Sequence, residues 1–150
     1  MTPIHIIDLA PQSGAGIEVR CPRQQLVPTI RQTFDRIYKP GALAPGHGHN
    51  FILYHGGDAS EITMTIGVLE RVPGGADSDV KLVHAPGGRV ITATHWGDYG
   101  QMKTTYDALH AEVKARGLKL TPLSLEIYGD WSDDPAKVRT DLYLYLAVGI

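Results

Sequence analysis

The same order of elements, strand, helix, strand, strand, can be read twice along these 150 residues. In the first pass, residues 16–21 alternate apolar and polar side chains, as a half-buried strand does, and Pro22 ends the run. A helix is predicted over 27–38, with Pro28 in its first turn and Ile30, Phe34 and Ile37 at helical spacing. After a breaker at 45–50, strands at 51–55 and 61–69 flank the turn Gly56-Gly57-Asp58. The second pass follows a Gly/Pro-rich connection at 73–79 and a short extended piece at 80–84. It has a strand at 88–95, a helix carrying Met102, Tyr106, Leu109 and Val113 on one stripe, and Gly117 as its C-cap. Strands at 123–128 and 140–148 complete it. Residues 51–54 can be laid over 125–128, and 61–66 over 141–146. The residues before Gly16 read as a short strand or a loose arm.

Duplicated units of this kind predict an α+β fold in which two βαββ repeats, at about 16–70 and 80–150, form one antiparallel-rich curved sheet within a single domain spanning 1–150. Both helices are expected on one face and a ligand cleft on the other. In the simplest register of the last two strands, Leu123, Leu125 and Ile127 share the core face with Leu142, Leu144 and Leu146. The opposite face then carries Ser124, Glu126, Tyr128, Asp141, Tyr143 and Tyr145, joined from the first repeat by Glu61, Thr63, Thr65 and Tyr54. A carboxylate among aromatic rings suits a hydrophobic cation, because ring faces and carboxylate are both negative.

Composition narrows the function classes. A formal charge of −2 gives no basic field for phosphate backbones, so direct nucleic-acid binding is not expected. No apolar run is long enough to span a bilayer, and the N-terminus lacks the pattern of a secretory signal. With one cysteine, Cys21, a cytoplasmic protein without a disulfide is expected. The glycine-rich pieces lack the lysine of a phosphate loop, and no Gly-x-Ser-x-Gly elbow is present. His47, His49 and His55 have no cysteine or carboxylate at ligand spacing, so neither a metal nor another cofactor is expected.

Four segments together resemble the GyrI-like small-molecule-binding family, which includes the effector-binding domains of AraC- and MerR-type multidrug regulators. They are residues 82–90, His95-Trp96-Gly97-Asp98-Tyr99, Leu125-Glu126-Ile127-Tyr128 and Arg139-Thr140-Asp141-Leu142-Tyr143. The resemblance implies two βαββ repeats of the SHS2 type around a cleft, an acidic residue that meets cationic ligands, and an aromatic lining. The family's pocket glutamate falls on Glu126 and the aromatic of its Gly-x-Tyr segment on Tyr99. The segment before Gly16 is too short for a helix-turn-helix, so a stand-alone member is expected, as monomer or weak homodimer.

Such members imply three roles. The first is binding of hydrophobic, cationic aromatic molecules for sensing or sequestration. The second is hydrolysis of a toxin such as a cyclopropane-bearing genotoxin, with Glu126 as general base and Tyr99 on the leaving atom. The third is interaction with a protein, a topoisomerase such as DNA gyrase or a separate regulator. For the first, Glu126 supplies the charge, and Tyr99, Tyr128, Trp96 and Tyr143 stack on the ligand. Tyr54, Tyr145 and Asp141 complete the lining, His95 stands at the rim, and Trp131 serves as a lid or a turn anchor. Glu126 can instead pair with Arg139 or Lys137, Tyr143 and Tyr145 can be cross-strand pairs, and Trp96 can staple the second helix. Tyr106 falls on the core stripe and reads as packing.

Overall fold

The computed structural model describes residues 3–75, 78–130 and 132–147. Two bent segments frame it. Strands β1 (Ile4–Leu9) and β2 (Gln12–Pro22) are one extended stretch broken at Ala10 and Pro11, and β5 (Lys81–Ala85) and β6 (Gly88–Trp96) are another, broken at Pro86 and Gly87. They pair antiparallel in one register that runs through both breaks: Leu9 lies opposite Gly88 and, beyond the bend, Gln12 opposite Ala85. Each break contains a proline, which has no N–H to continue a ladder. The residues before Gly16 are therefore a full strand and the beginning of another.

Between these segments lie β3 (Asn50–Gly57), β4 (Glu61–Leu69), β7 (Leu120–Tyr128) and β8 (Arg139–Leu146). The sheet order is β1-β6-β8-β7-β3-β4-β2-β5, with every neighbouring pair antiparallel. Strands β1 and β2 stand far apart in that order, yet only two residues join them. So short a link draws the two sides of the sheet together at the bends and forces the curvature. Gly16 and Gly67 sit opposite each other where a Cβ on Gly16 would stand 2.2 Å from the Ile66 carbonyl oxygen.

Helices α1 (Leu26–Ile37) and α2 (Met102–Ala115) cover one face. The α1 stripe packs Ile30, Phe34 and Ile37 over Ile52, Met64 and Ile66, and α2 packs Leu109 and Val113 over Ile91, Ala93, Leu142 and Leu144. Gly117, at φ 64°, ends α2 as expected, and Leu118 N–H closes back on the Val113 carbonyl at 3.0 Å. The other face curls inward over Phe51, Leu53, Val90, Leu125 and Tyr145, which fill a core of their own. No helix among the described residues is long and apolar enough to cross a membrane.

One expectation about the faces is corrected. The β7–β8 ladder sets Leu125 opposite Tyr143 and Glu126 opposite Leu142. Leu142 and Leu144 therefore share the helix-covered face with Ser124, Glu126 and Tyr128, while Asp141, Tyr143 and Tyr145 point to the inside of the curve. A shift of one residue in register exchanges the faces of a whole strand, and the connection 129–138 delivers β8 in the register opposite to the simplest one. Both faces of these strands contribute to a core, Leu125 and Tyr145 on one side and Leu142 and Leu144 on the other, so a row of leucines does not by itself mark the side on which the helices lie.

Candidate ligand-binding site

Strand alternation lifts Glu126 and Tyr128 toward the helices. Ile52 of β3 lies directly opposite Glu126, so Tyr54, two residues further along β3, rises on the same side. Tyr106 descends from the α2 stripe between Met102 and Leu109. These placements bring three phenols onto one carboxylate: Tyr54 donates to Oε1 at 3.2 Å, Tyr128 also donates to Oε1, and Tyr106 donates to Oε2. Glu126 is only 5% exposed. A buried charge is tolerated when hydrogen bonds replace its hydration, and three hydroxyl donors supply that replacement. Burial, reinforced by the negative charge of Glu126, pushes all three phenols far above the ordinary tyrosine value. They remain protonated donors.

Two cavities flank this cluster between the helices, so the candidate cleft lies on the helix-covered face and not on the opposite face as expected. The larger, about 780 Å³, is walled by Ile30 and Phe34 of α1, by Tyr38 just past its end, and by Tyr99 and Met102 at the start of α2, with Ile52 and Tyr128 as its floor. Tyr99 meets Tyr128 edge to face at 5.7 Å between ring centroids. Asp35 and Asp130 also line this cavity, and Asp130 Oδ1 lies 3.3 Å from His49 Nε2. The smaller cavity, about 400 Å³, contains Tyr54, Tyr106 and Glu126, with Arg23 and His110 along its wall. Tyr128 stands between the two: its side chain lines the larger cavity and its hydroxyl reaches the carboxylate that lines the smaller.

Of the residues expected at the site, Glu126, Tyr128, Tyr54 and Tyr99 come together. Tyr106, read as packing, belongs with them. The α1 wall went unread as well, although its signal was present: Val27 and Tyr38 extend the apolar stripe past what the core needs, and Val27 is left 60% exposed. Thr63 and Thr65 face away from Tyr54 on the far side of the sheet.

Trp96, Asp141, Tyr143 and Tyr145 line neither cavity. They lie on the inner face because β6 and β8 pair Trp96 with Arg139, Thr94 with Asp141, and Thr92 with Tyr143. The Arg139 guanidinium carbon stands 5.6 Å from the centroid of the exposed Trp96 ring. The Asp141 carboxylate accepts from Arg139 at 3.0 Å and from Thr94 at 2.7 Å. Arg139 thus pairs with Asp141 rather than Glu126. Tyr145 donates to the Pro86 carbonyl at 2.6 Å, fastening β8 to the bend, and burial pushes its phenol up to about 12. His95 is a fastening beneath α2 instead of a rim group: its Nε2–H donates to the Asp98 carbonyl at 2.9 Å, and Nδ1 lies 2.8 Å from the Thr105 hydroxyl. Trp131 lies outside the described residues. Among the described residues, no three His, Cys, Asp or Glu side chains are grouped as metal ligands.

A buried carboxylate roofed by phenols, between two helices on a duplicated βαββ sheet, defines a small-molecule-binding domain. The chain belongs to the GyrI-like family, whose small molecule binding domain matches residues 2–147. Among solved structures it is similar to the EcmrR C-terminal domain, with a TM-score of 0.68 at 19% identity over 98% of each chain. It is also similar to SAV2435 bound to tetraphenylphosphonium, with a TM-score of 0.69 at 14% identity over 97% of this chain and 94% of that one. A hydrolase from Listeria innocua aligns with a TM-score of 0.54 at 16% identity, covering 96% and 91%. These likenesses establish the fold. No curated protein sequence matched.

Proposed function

We propose that this protein binds hydrophobic aromatic cations in the larger cavity, against Tyr128, Tyr99, Phe34 and Tyr38. The observation that carries this reading is the buried Glu126 carboxylate held by the hydroxyl of a tyrosine that also floors an aromatic cavity. A cation over such rings gains about 0.5 to 2 kcal/mol per ring face, and a fixed negative charge behind the floor favours it over a neutral molecule of the same shape. Asp35 and Asp130 add negative charge at the walls. The tetraphenylphosphonium bound to SAV2435 is a molecule of this class and a suitable first probe.

The test is a fluorescence and thermal-shift titration with tetraphenylphosphonium and with neutral triphenylphosphine oxide. Binding of the cation, weakened in Tyr99→Ala and recovered unchanged by mass spectrometry, supports the proposal. No binding, or equal binding of the neutral compound, overturns it. For the hydrolase reading, Glu126 would have to take a proton from water at the one acceptor position that three hydroxyls leave open. Consumption of a ligand in the mass spectrum is the result that would favour that reading.

A further inference from the structure

The smaller cavity has a different chemistry from the larger one. At one side stands Glu126, whose carboxylate has roughly four acceptor positions, three of them taken by Tyr54, Tyr106 and Tyr128. One acceptor position remains, and the residue lines the cavity. Arg23 also lines it. The Arg23 Nε–H donates to the Asp58 carbonyl oxygen at 2.7 Å, which fixes the guanidinium and leaves its terminal N–H groups unspent. Arg23 takes part in none of the ion pairs among the described residues. The nearby Asp58 carboxylate is turned to Ser60 and to the Glu61 N–H. His110, one helical turn beyond Tyr106, adds a second nitrogen donor to the wall, and Leu26, Ile62 and Leu144 supply apolar surface.

We infer that this cavity is a separate site for a free α-amino acid with an apolar side chain, its ammonium on Glu126, its carboxylate on Arg23 and His110, and its side chain against Leu26, Ile62 and Leu144. A buried carboxylate and an exposed guanidinium lining one cavity select a molecule carrying both charges, since a ligand with only one leaves Glu126 or Arg23 unmatched. An arginine held by its Nε keeps two parallel N–H groups suited to a carboxylate. A volume of about 400 Å³, against about 780 Å³ for the neighbouring cavity, accommodates an amino acid. The two cavities have no lining residue in common and are linked through the Tyr128 hydroxyl on Glu126, so Arg23 can be tested apart from the larger cavity.

The experiment is ligand-observed NMR and calorimetric titration of the intact chain with leucine, methionine and phenylalanine at millimolar concentration, each beside its N-acetyl and methyl-ester derivatives. At least one free amino acid binds and each blocked derivative binds more weakly, the N-acetyl form by about tenfold or more because the lost charge faces the buried Glu126, and the ester by less because Arg23 is exposed. In Arg23→Gln the free amino acid weakens to the level of its ester, the ester is unchanged, and tetraphenylphosphonium binds as in wild type. The inference is overturned if no free amino acid binds, if blocked and free forms bind alike, or if Arg23→Gln leaves the amino acid unaffected. Loss of phosphonium binding alone, with amino-acid binding intact, would count against the larger-cavity reading and leave this one standing.

Discussion

At the scale of single residues, the site rests on how many donors one carboxylate receives. Removing one hydroxyl in Tyr106→Phe leaves a buried charge less satisfied and should destabilise the fold by about 1 to 3 kcal/mol, read as a lower urea midpoint. In Glu126→Gln the charge disappears while the shape is kept. Tetraphenylphosphonium should then bind about tenfold more weakly or worse, with little change for the neutral phosphine oxide, and equal weakening of both would remove the electrostatic part of the proposal. Glu126, Tyr128 and Tyr54 could be read from the sequence because alternation along a strand ties residues two apart to one face. Asp141, Tyr143 and Tyr145 could not, because their face depends on the register of β8 against β7, which alternation within either strand does not set. Tyr106 was hidden for another reason: a helical stripe can point at a core or a carboxylate with the same spacing.

Hairpins and helix ends behave as units. The turn between β3 and β4 is held by Asp58, which accepts from Ser60 N–H, Ser60 Oγ and Glu61 N–H, each at 2.8 Å. These bonds lower the Asp58 carboxyl from 3.8 to about 2. A carboxyl that is more acidic in the folded chain stabilises it above the unfolded value and loses that contribution as pH falls from 3.8 through about 2. Urea midpoints measured across that range should drop in wild type, and that part of the slope should be absent in Asp58→Ala. The strand and helix cores in this part of the chain were legible, since periodicity and the Gly-Gly-Asp turn both announce them. The strands at the bends were less so. Pro11 and Pro86 break the apolar pattern where the ladder itself continues on either side, and a proline-punctuated N-terminus looks like an arm until its partner segment is found.

For the molecule as a whole, ionisation of buried phenols and the closure of the sheet are coupled. Tyr145, raised to about 12, bonds the Pro86 bend, and Tyr54, Tyr106 and Tyr128 are raised further. A phenol that is a weaker acid in the folded state stabilises fully below its unfolded value of 10.0 and loses this as pH rises toward 12. Phenolate absorbance should therefore rise in a first stage from the more exposed tyrosines, with the buried ones appearing only together with loss of secondary structure. Gradual ionisation of all seven tyrosines in a folded chain would contradict the cluster. The bends carry a further meaning. Strand β1 pairs with β6 of the second unit, and β5 pairs with β2 of the first. Each unit has lent its leading strand to the other, as two molecules do when they exchange segments. A half-length chain could complete its own ladder only by trading that strand with a second copy, so the duplication looks like an exchanged dimer whose two partners were written into one polypeptide.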